Sequence, residues 1–316
     1  MMNIKSFLKL VEIRTKVASM IPFIAGSLFA AYHFENFDTV SFLLMFGSLF
    51  IFDMTTTAFN NYFDYKRARV KEGYNYEEHN AIGRDRLSLF TVRTTIAVML
   101  SLAIILGILL VFRTNLLVLL IGVISFAIGI LYSFGPVPIS STPFGEAMSG
   151  FFMGFIIVFL SIYIHLADAD IFALHISNWV LDFRMNFWWL LMIILFSVPH
   201  MACIANIMLA NNICDMEEDI KNKRFTLPNY IGKKNALILY GSLYGTAFIS
   251  IVISVITMAL PVICLIGLLA VIPVYRNVEM FMKVQTKKDT FVFAVKNYFI
   301  ISISQILLLT VELIVK

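Results

Sequence analysis

Two short stretches of this 316-residue chain pair Asn with Asp at helical spacing. Asn60-Asn61-Tyr62-Phe63-Asp64 and Asn211-Asn212-Ile213-Cys214-Asp215 both read Asn-Asn-x-x-Asp, and the second runs on to Asp219. Residues i and i+4 share a helix face, so Asn60 points with Asp64, and Asn211 with Asp215 and Asp219. Oxygen ligands at two helix ends suit Mg²⁺, which takes one or two carboxylates, several waters and substrate phosphates. Lys66, Arg67, Arg69, Lys71, Arg84, Arg86, Lys221, Lys223 and Arg224 follow the two motifs. Carboxylates mixed with cations answer a Mg²⁺-diphosphate: metal on some oxygens, ammonium or guanidinium on others. Taken singly, those Lys and Arg also fit ordinary anchoring of helices at a membrane face. Asp contributes little to anchoring, so Asp64, Asp215 and Asp219 read as functional, and all three are expected near solvent.

The elements that must position these residues are membrane spans. Apolar residues make up 60% of the chain, charged residues only 14%, and the mean hydropathy is +0.87. This excludes a soluble globular enzyme and a disordered chain, and leaves an all-α polytopic membrane protein. Nine apolar segments can be read: Val17–Tyr32, Ser41–Tyr62, Thr94–Phe112, Leu116–Phe134, Phe144–His165, Phe187–Ala210, Ala236–Met258, Ala259–Tyr275 and Phe291–Val315. The seventh and eighth are parted only by a turn at Met258–Pro261. The two Asn-Asp motifs close the second and sixth segments, four spans apart, as a duplicated helical unit would place them. Residues 1–16 carry Lys5, Lys9, Arg14 and Lys16 among apolar residues and read as an amphipathic interfacial helix, not a cleavable signal. The chain reads as one domain over 1–316, with loops 63–93 and 211–235 as its cytoplasmic active-site loops. Cys203, Cys214 and Cys264 form no disulfide framework.

Arg14, Pro22-Phe23-Ile24-Ala25-Gly26, the two Asn-Asp motifs, the Lys223-Arg224-Phe225-Thr226-Leu227-Pro228 tail, Leu131-Tyr132-Ser133-Phe134-Gly135-Pro136-Val137-Pro138 and Phe144-Gly145-Glu146 together resemble the UbiA-type intramembrane prenyltransferases. The likeness is strongest to the MenA branch, the 1,4-dihydroxy-2-naphthoate polyprenyltransferases. It covers nearly the whole chain. It implies a bundle of about nine helices that joins a polyprenyl diphosphate to an aromatic acceptor, losing diphosphate and CO₂, with Mg²⁺ as cofactor. By the same resemblance, Asn60, Asp64, Asn211, Asp215 and Asp219 would hold the metal. Lys66, Arg67, Arg84, Lys223 and Arg224 would bind the diphosphate, and Tyr132, Ser133, Glu146 and His200 would face the acceptor. Three departures stand out. Asn61 and Ala68 replace carboxylates usual in the first motif, and Phe134 stands where Gly is usual. Tyr132 is followed by Pro136 rather than by the Lys of the hydroxybenzoate branch, which favours a naphthoate-like acceptor.

Polar residues inside apolar runs admit two readings. Asp53 is either a functional intramembrane acid or a hydrogen-bonded interior residue. His200 either touches the acceptor or is a structural histidine after Pro199, and Asn206 reads as interhelical polarity. The other readings are a UbiA-type enzyme with hydroxybenzoate, homogentisate or haem as acceptor, and an ion-coupled transporter. The acids lie at helix ends rather than at the membrane midplane, which disfavours the transporter. With basic residues flanking spans and no Walker or zinc motif, nucleic acid is not a partner.

Alternate connections carry 21 and 3 of the 24 Lys and Arg. The positive-inside rule then puts the N-terminus in the cytoplasm and the C-terminus outside a plasma membrane. A reporter fused after Lys316 should give an external signal, and a cytoplasmic signal there would remove the nine-span assignment of sides.

Overall fold

The computed structural model describes residues 2–67, 80–166, 171–177 and 180–316. Among these, nine helices are long and apolar enough to cross a membrane: α1 (Ile13–Phe34), α2 (Thr39–Lys66), α3 (Leu89–Arg113), α4 (Leu116–Ser133), α5 (Gly145–Tyr163), α6 (Phe187–Cys214), α7 (Lys233–Ile256), α8 (Val262–Lys283) and α9 (Val292–Val315). They match the nine apolar segments one for one. The tight break between the seventh and eighth is real: Met258 turns the backbone left-handed (φ 61°), Leu260 N–H bonds Ser254 O at 3.0 Å, and Pro261 opens α8. An antiparallel hairpin, β1 (Phe172–Ser177) with β2 (Val180–Met185), adds a two-stranded element between α5 and α6. Phe172 is buried, and its carbonyl accepts from Tyr163 Oη at 3.0 Å.

The N-terminal stretch is not one interfacial helix. A helix covers Ile4–Leu10, Glu12 then takes a left-handed conformation (φ 47°), and Ile13–Lys16 already belong to α1. Lys16 is only 3% exposed. Its ammonium bonds Asp53 Oδ1 at 2.6 Å, while Ser19 Oγ donates to Asp53 Oδ2. A buried charge is tolerated in an apolar interior only when paired and hydrogen-bonded. Asp53 is therefore an interior clamp between α1 and α2.

Residues 1–20 and 39–138 form one compact unit. Its core gathers Leu10, Val11, Ala58, Tyr62, Ala81, Ile82, Val92, Ile96 and Met99. Asn61 ties the N-terminal segment to α2: its Nδ2 donates to Leu10 O at 2.9 Å and to Glu12 Oε1 at 3.3 Å. Asn80 Nδ2 in turn donates to Asn61 O at 2.8 Å, and Asn80 Oδ1 caps the short helix Ala81–Arg84.

Residues 21–38 and 139–316 form the second unit. Here α6 packs against α5, α7 and α9. After an α-helical turn over Gly145–Ser149, α5 winds as a π-helix over Gly150–Ile156. Gly150 and Gly154 let α5 approach the α6 backbone: a Cβ on Gly154 would stand 2.5 Å from Met201 N and 2.9 Å from His200 C. Small residues at such crossings are how helices approach closely in lipid. Pro199 lies inside α6 and cannot donate to the carbonyl four residues earlier. That carbonyl, Leu195 O, accepts instead from Ser250 Oγ of α7 at 2.7 Å. Asn206 Nδ2 likewise donates to Tyr240 O on α7 at 3.0 Å, the interhelical role read for it.

Gly154→Ala forces backbone against backbone and should lower stability in detergent by about 1–3 kcal/mol, the range for overpacking. Gly122, whose Cβ would meet nothing within 4 Å, is the control, and Gly122→Ala should leave the melting temperature unchanged.

Candidate metal and diphosphate site

The second motif is built by a helix end that folds back on itself. The peptide N–H of Asp215 closes α6 on Asn211 O at 3.0 Å, and a short helix, Met216–Lys221, starts at once. Asp219 N–H bonds Asp215 O at 2.8 Å. Lys223 then takes a left-handed conformation (φ 57°), which returns Arg224 N–H to Asp219 O at 2.8 Å. Thr226-Leu227-Pro228 opens the helix Leu227–Ile231, with Pro in its first turn and Thr226 fully buried. The tail after the motif thus holds the loop in shape and presents Arg224 to the acids.

The charges are arranged in pairs. Arg224 Nε lies 3.4 Å from Asp219 Oδ1. Lys287, from the turn between α8 and α9, places Nζ 2.6 Å from Asp215 Oδ2. The Lys287 side chain is 59% exposed, so the pair adds little to stability. Its meaning is electrostatic: a cation sits on an acid that faces outward. The sequence reading missed Lys287 as a site residue because it counted only as one more basic loop residue.

Asp215 is partly exposed, but Asp219 is 5% exposed, not near solvent as its position at a helix end suggested. Burial pushes the Asp219 carboxyl up to about 6; Arg224 and Lys287 pull it down, and Asp215 and Glu218 push it up. Asp219 Oδ2 has no hydrogen-bond partner. A buried carboxylate with one oxygen left unpaired fits a hard divalent cation, which would restore the missing interaction. No three His, Cys, Asp or Glu side chains already converge on one point among the described residues.

Close by, Asn212 Nδ2 donates to Glu146 Oε1 at 2.8 Å, and both side chains are buried. Asn212 is the second Asn of the motif and faces inward while Asn211 is half-buried. Its role was not read from the sequence, because a helix-end Asn gives no sign of which way it faces.

The first motif lies in the other unit. Asn60 and Asp64 are exposed near the end of α2, and Lys66 Nζ stands 5.5 Å from the Tyr62 ring centroid. The Arg67 side chain, Ala68, Arg69 and Lys71 lie outside the described residues. Asn61, read as a missing metal ligand, instead faces the N-terminal segment, as given above. Phe134, in place of the usual Gly, packs against Phe63 with centroids 4.9 Å apart. Arg84 pairs with Asp85 at 3.5 Å, Tyr132 is half-buried, and Ser133 is buried at the end of α4. Lys223 is exposed. His200 is fully buried, with Nδ1 3.2 Å from Ser302 Oγ of α9, in the packed interior of the second unit.

Residues 19–303 match the UbiA prenyltransferase family. A 1,4-dihydroxy-2-naphthoate octaprenyltransferase of Bacillus subtilis (strain 168) is 32% identical over 243 residues, 77% of this chain and 71% of that protein. Among solved structures, a UbiA homologue from Aeropyrum pernix K1 superposes with a TM-score of 0.68 at 19% identity, covering 93% of this chain and 98% of that one. A UbiA homologue from Archaeoglobus fulgidus bound to GPP and Mg²⁺ superposes with a TM-score of 0.61 at 15% identity, covering 98% and 99%.

The burial of Asp219 has a stability consequence. Its folded-state value of about 6 lies above the ordinary carboxylate range, so the folded protein is penalised wherever Asp219 must ionise. The penalty is full above pH 6 and gone below about pH 4. In metal-free protein, Asp219→Asn should raise the melting temperature at pH 7, with the gain closing as pH falls through 6. Thermal scans of both proteins across pH 4–8 in chelator measure it.

Proposed function

The chain belongs to the UbiA prenyltransferase family, and on that premise we propose that it transfers a polyprenyl group from polyprenyl diphosphate to 1,4-dihydroxy-2-naphthoate. Diphosphate and CO₂ leave, and the product is a demethylmenaquinol, the hydroquinone form of a demethylmenaquinone. The reading rests on the turn carrying Asp215 and Asp219, where two acids meet Arg224 and Lys287. That is the charge pattern a metal-bound diphosphate requires: oxygen donors for the cation and cations for the remaining phosphate oxygens. The naphthoate acceptor is supported by the named Bacillus relative and by the Tyr132–Pro138 and Phe144–Glu146 stretches.

In this reading Asp215 and Asp219, with Asn211, hold Mg²⁺, and Asn60 and Asp64 present the same donor types at the end of α2. When bound, Mg²⁺ supplies positive charge against which the diphosphate departs. Arg224 and Lys223 bind phosphate oxygens, and Lys66, Arg67 and Arg84 are the diphosphate-binding candidates of the first unit. Lys287, paired with Asp215 in this structure, would be free to meet the diphosphate if Asp215 turned to a bound cation. The allylic C–O bond breaks, the electron pair stays with diphosphate, and the electron-rich ring carbon bonds the allylic carbon. Loss of CO₂ from that carbon returns its electron pair to the ring. Apolar helices keep water from the allylic carbon and let the prenyl tail remain in the bilayer. We place the protein in a plasma membrane with these acids on the cytoplasmic side, from the charge split.

Purified protein, labelled polyprenyl diphosphate and a panel of aromatic acceptors test the assignment. Dihydroxynaphthoate should give a product lacking the carboxyl group, and turnover of hydroxybenzoate alone would reject it. Asp215→Ala should lower turnover on the order of 10²-fold or more, with little change in melting temperature, because its ion pair with the exposed Lys287 adds little to stability. Chelation should abolish wild-type turnover and added Mg²⁺ restore it. An Asp215→Ala protein with full Mg²⁺-dependent turnover would place the metal elsewhere.

A further inference from the structure

The hydrogen-bonded pair Glu146–Asn212 is left over from the metal and diphosphate reading. Glu146 begins α5 and is 4% exposed; Asn212 is 1% exposed at the end of α6. Their one bond, Asn212 Nδ2 to Glu146 Oε1, fixes both side chains. Two buried atoms then have no partner, Glu146 Oε2 and Asn212 Oδ1. Both can accept a hydrogen bond. A buried acceptor without a donor is costly, and a pair of apolar side chains would fill the same space without that cost. The pair is thus suited to a ligand that brings donors into a closed place. The more open Asp215, with Lys287 on it, offers the cation a better position.

Resting on the reading of the chain as an aromatic prenyltransferase, we propose that Glu146 Oε2, oriented by Asn212, accepts a hydrogen bond from a ring hydroxyl of the aromatic acceptor. Several consequences bear on rate. A hydroxyl that donates to a carboxylate makes a short, charge-assisted bond. Electron density on its oxygen rises and passes into the ring, where it strengthens the carbon that attacks the allylic centre. The same bond sets which ring edge faces the diphosphate, since Asn212 lies three residues before Asp215 on one helix end. The pair therefore selects hydroxylated rings and orients them.

Glu146→Gln keeps the shape and removes one carboxylate oxygen. Equilibrium binding of 1,4-dihydroxy-2-naphthoate and of its O-methyl ethers is measured first, without prenyl diphosphate, on wild type and variant. Wild type should prefer the hydroxyl form at least tenfold, and Glu146→Gln should erase that preference. In turnover, the variant should lose tenfold or more in kcat/KM for the hydroxyl acceptor, with KM for prenyl diphosphate and the Mg²⁺ requirement unchanged. Asn212→Ser, which leaves the carboxylate but frees its orientation, should lose part of the preference. Equal binding of hydroxyl and ether forms by wild type overturns the proposal, whether or not the variants fold. So does an unchanged preference in Glu146→Gln, or a defect confined to the Mg²⁺ requirement. Failure of wild type to prenylate any aromatic acceptor strikes the reaction itself and is distinguished by the binding measurement, which needs no turnover.

Discussion

The close crossing of α5 and α6 at Gly150 and Gly154 governs the second unit. Neither position admits a Cβ without a clash against Met201 or its neighbours. The backbones can approach only because these residues lack side chains. That approach continues toward the start of α5 and the end of α6, where it brings Glu146 against Asn212. Pro199 lies beside the crossing and frees Leu195 O, and Ser250 takes that carbonyl and ties α7 to the same helix. Gln305 Nε2 reaches Phe196 O at 3.4 Å, so α9 is tied to the next carbonyl. One helix thus gathers its neighbours through two of its carbonyls, of which its proline frees Leu195 O, and through a crossing made close by the glycines of α5.

A second constraint sorts the polar residues. In an apolar interior an unpaired polar group is expensive, so partnership is informative. Asp53 is saturated by Lys16 and Ser19, Asn206 is satisfied at Nδ2, and Asn61 bridges to the N-terminal segment. These side chains hold helices together. Asp219 Oδ2 and Glu146 Oε2 have no partner although their residues are buried. Among the described residues they are the two buried carboxylate oxygens without a partner; Asn206 Oδ1 and Gln305 Oε1 are unpartnered too. The outward pair Asp215–Lys287 is a third type, satisfied in charge yet open to exchange.

The two Asn-Asn-x-x-Asp motifs look equivalent in sequence, but their second Asn residues do different work. Asn61 donates to Leu10 O and Glu12, whereas Asn212 donates to Glu146. A shared pattern records shared helical spacing. It does not record what each helix face meets.

The amino-acid sequence alone determined the number and order of the spans, because burying about twenty residues in lipid demands an apolar run of that length wherever a helix crosses. It also located Asp64, Asp215 and Asp219, since acids at helical spacing beside apolar runs stand out against a background of only 14% charged residues. The break at Met258–Pro261 was legible through its proline. What only the tertiary structure decided is which side chains meet. Lys287 lies 72 residues from Asp215, and Glu146 lies 66 from Asn212. Those pairings depend on helix rotation and crossing depth, set by packing of glycines and freed carbonyls across several helices. No local periodicity carries that information, because spacing along one helix fixes only which residues share a face, and the neighbouring helices decide what that face touches.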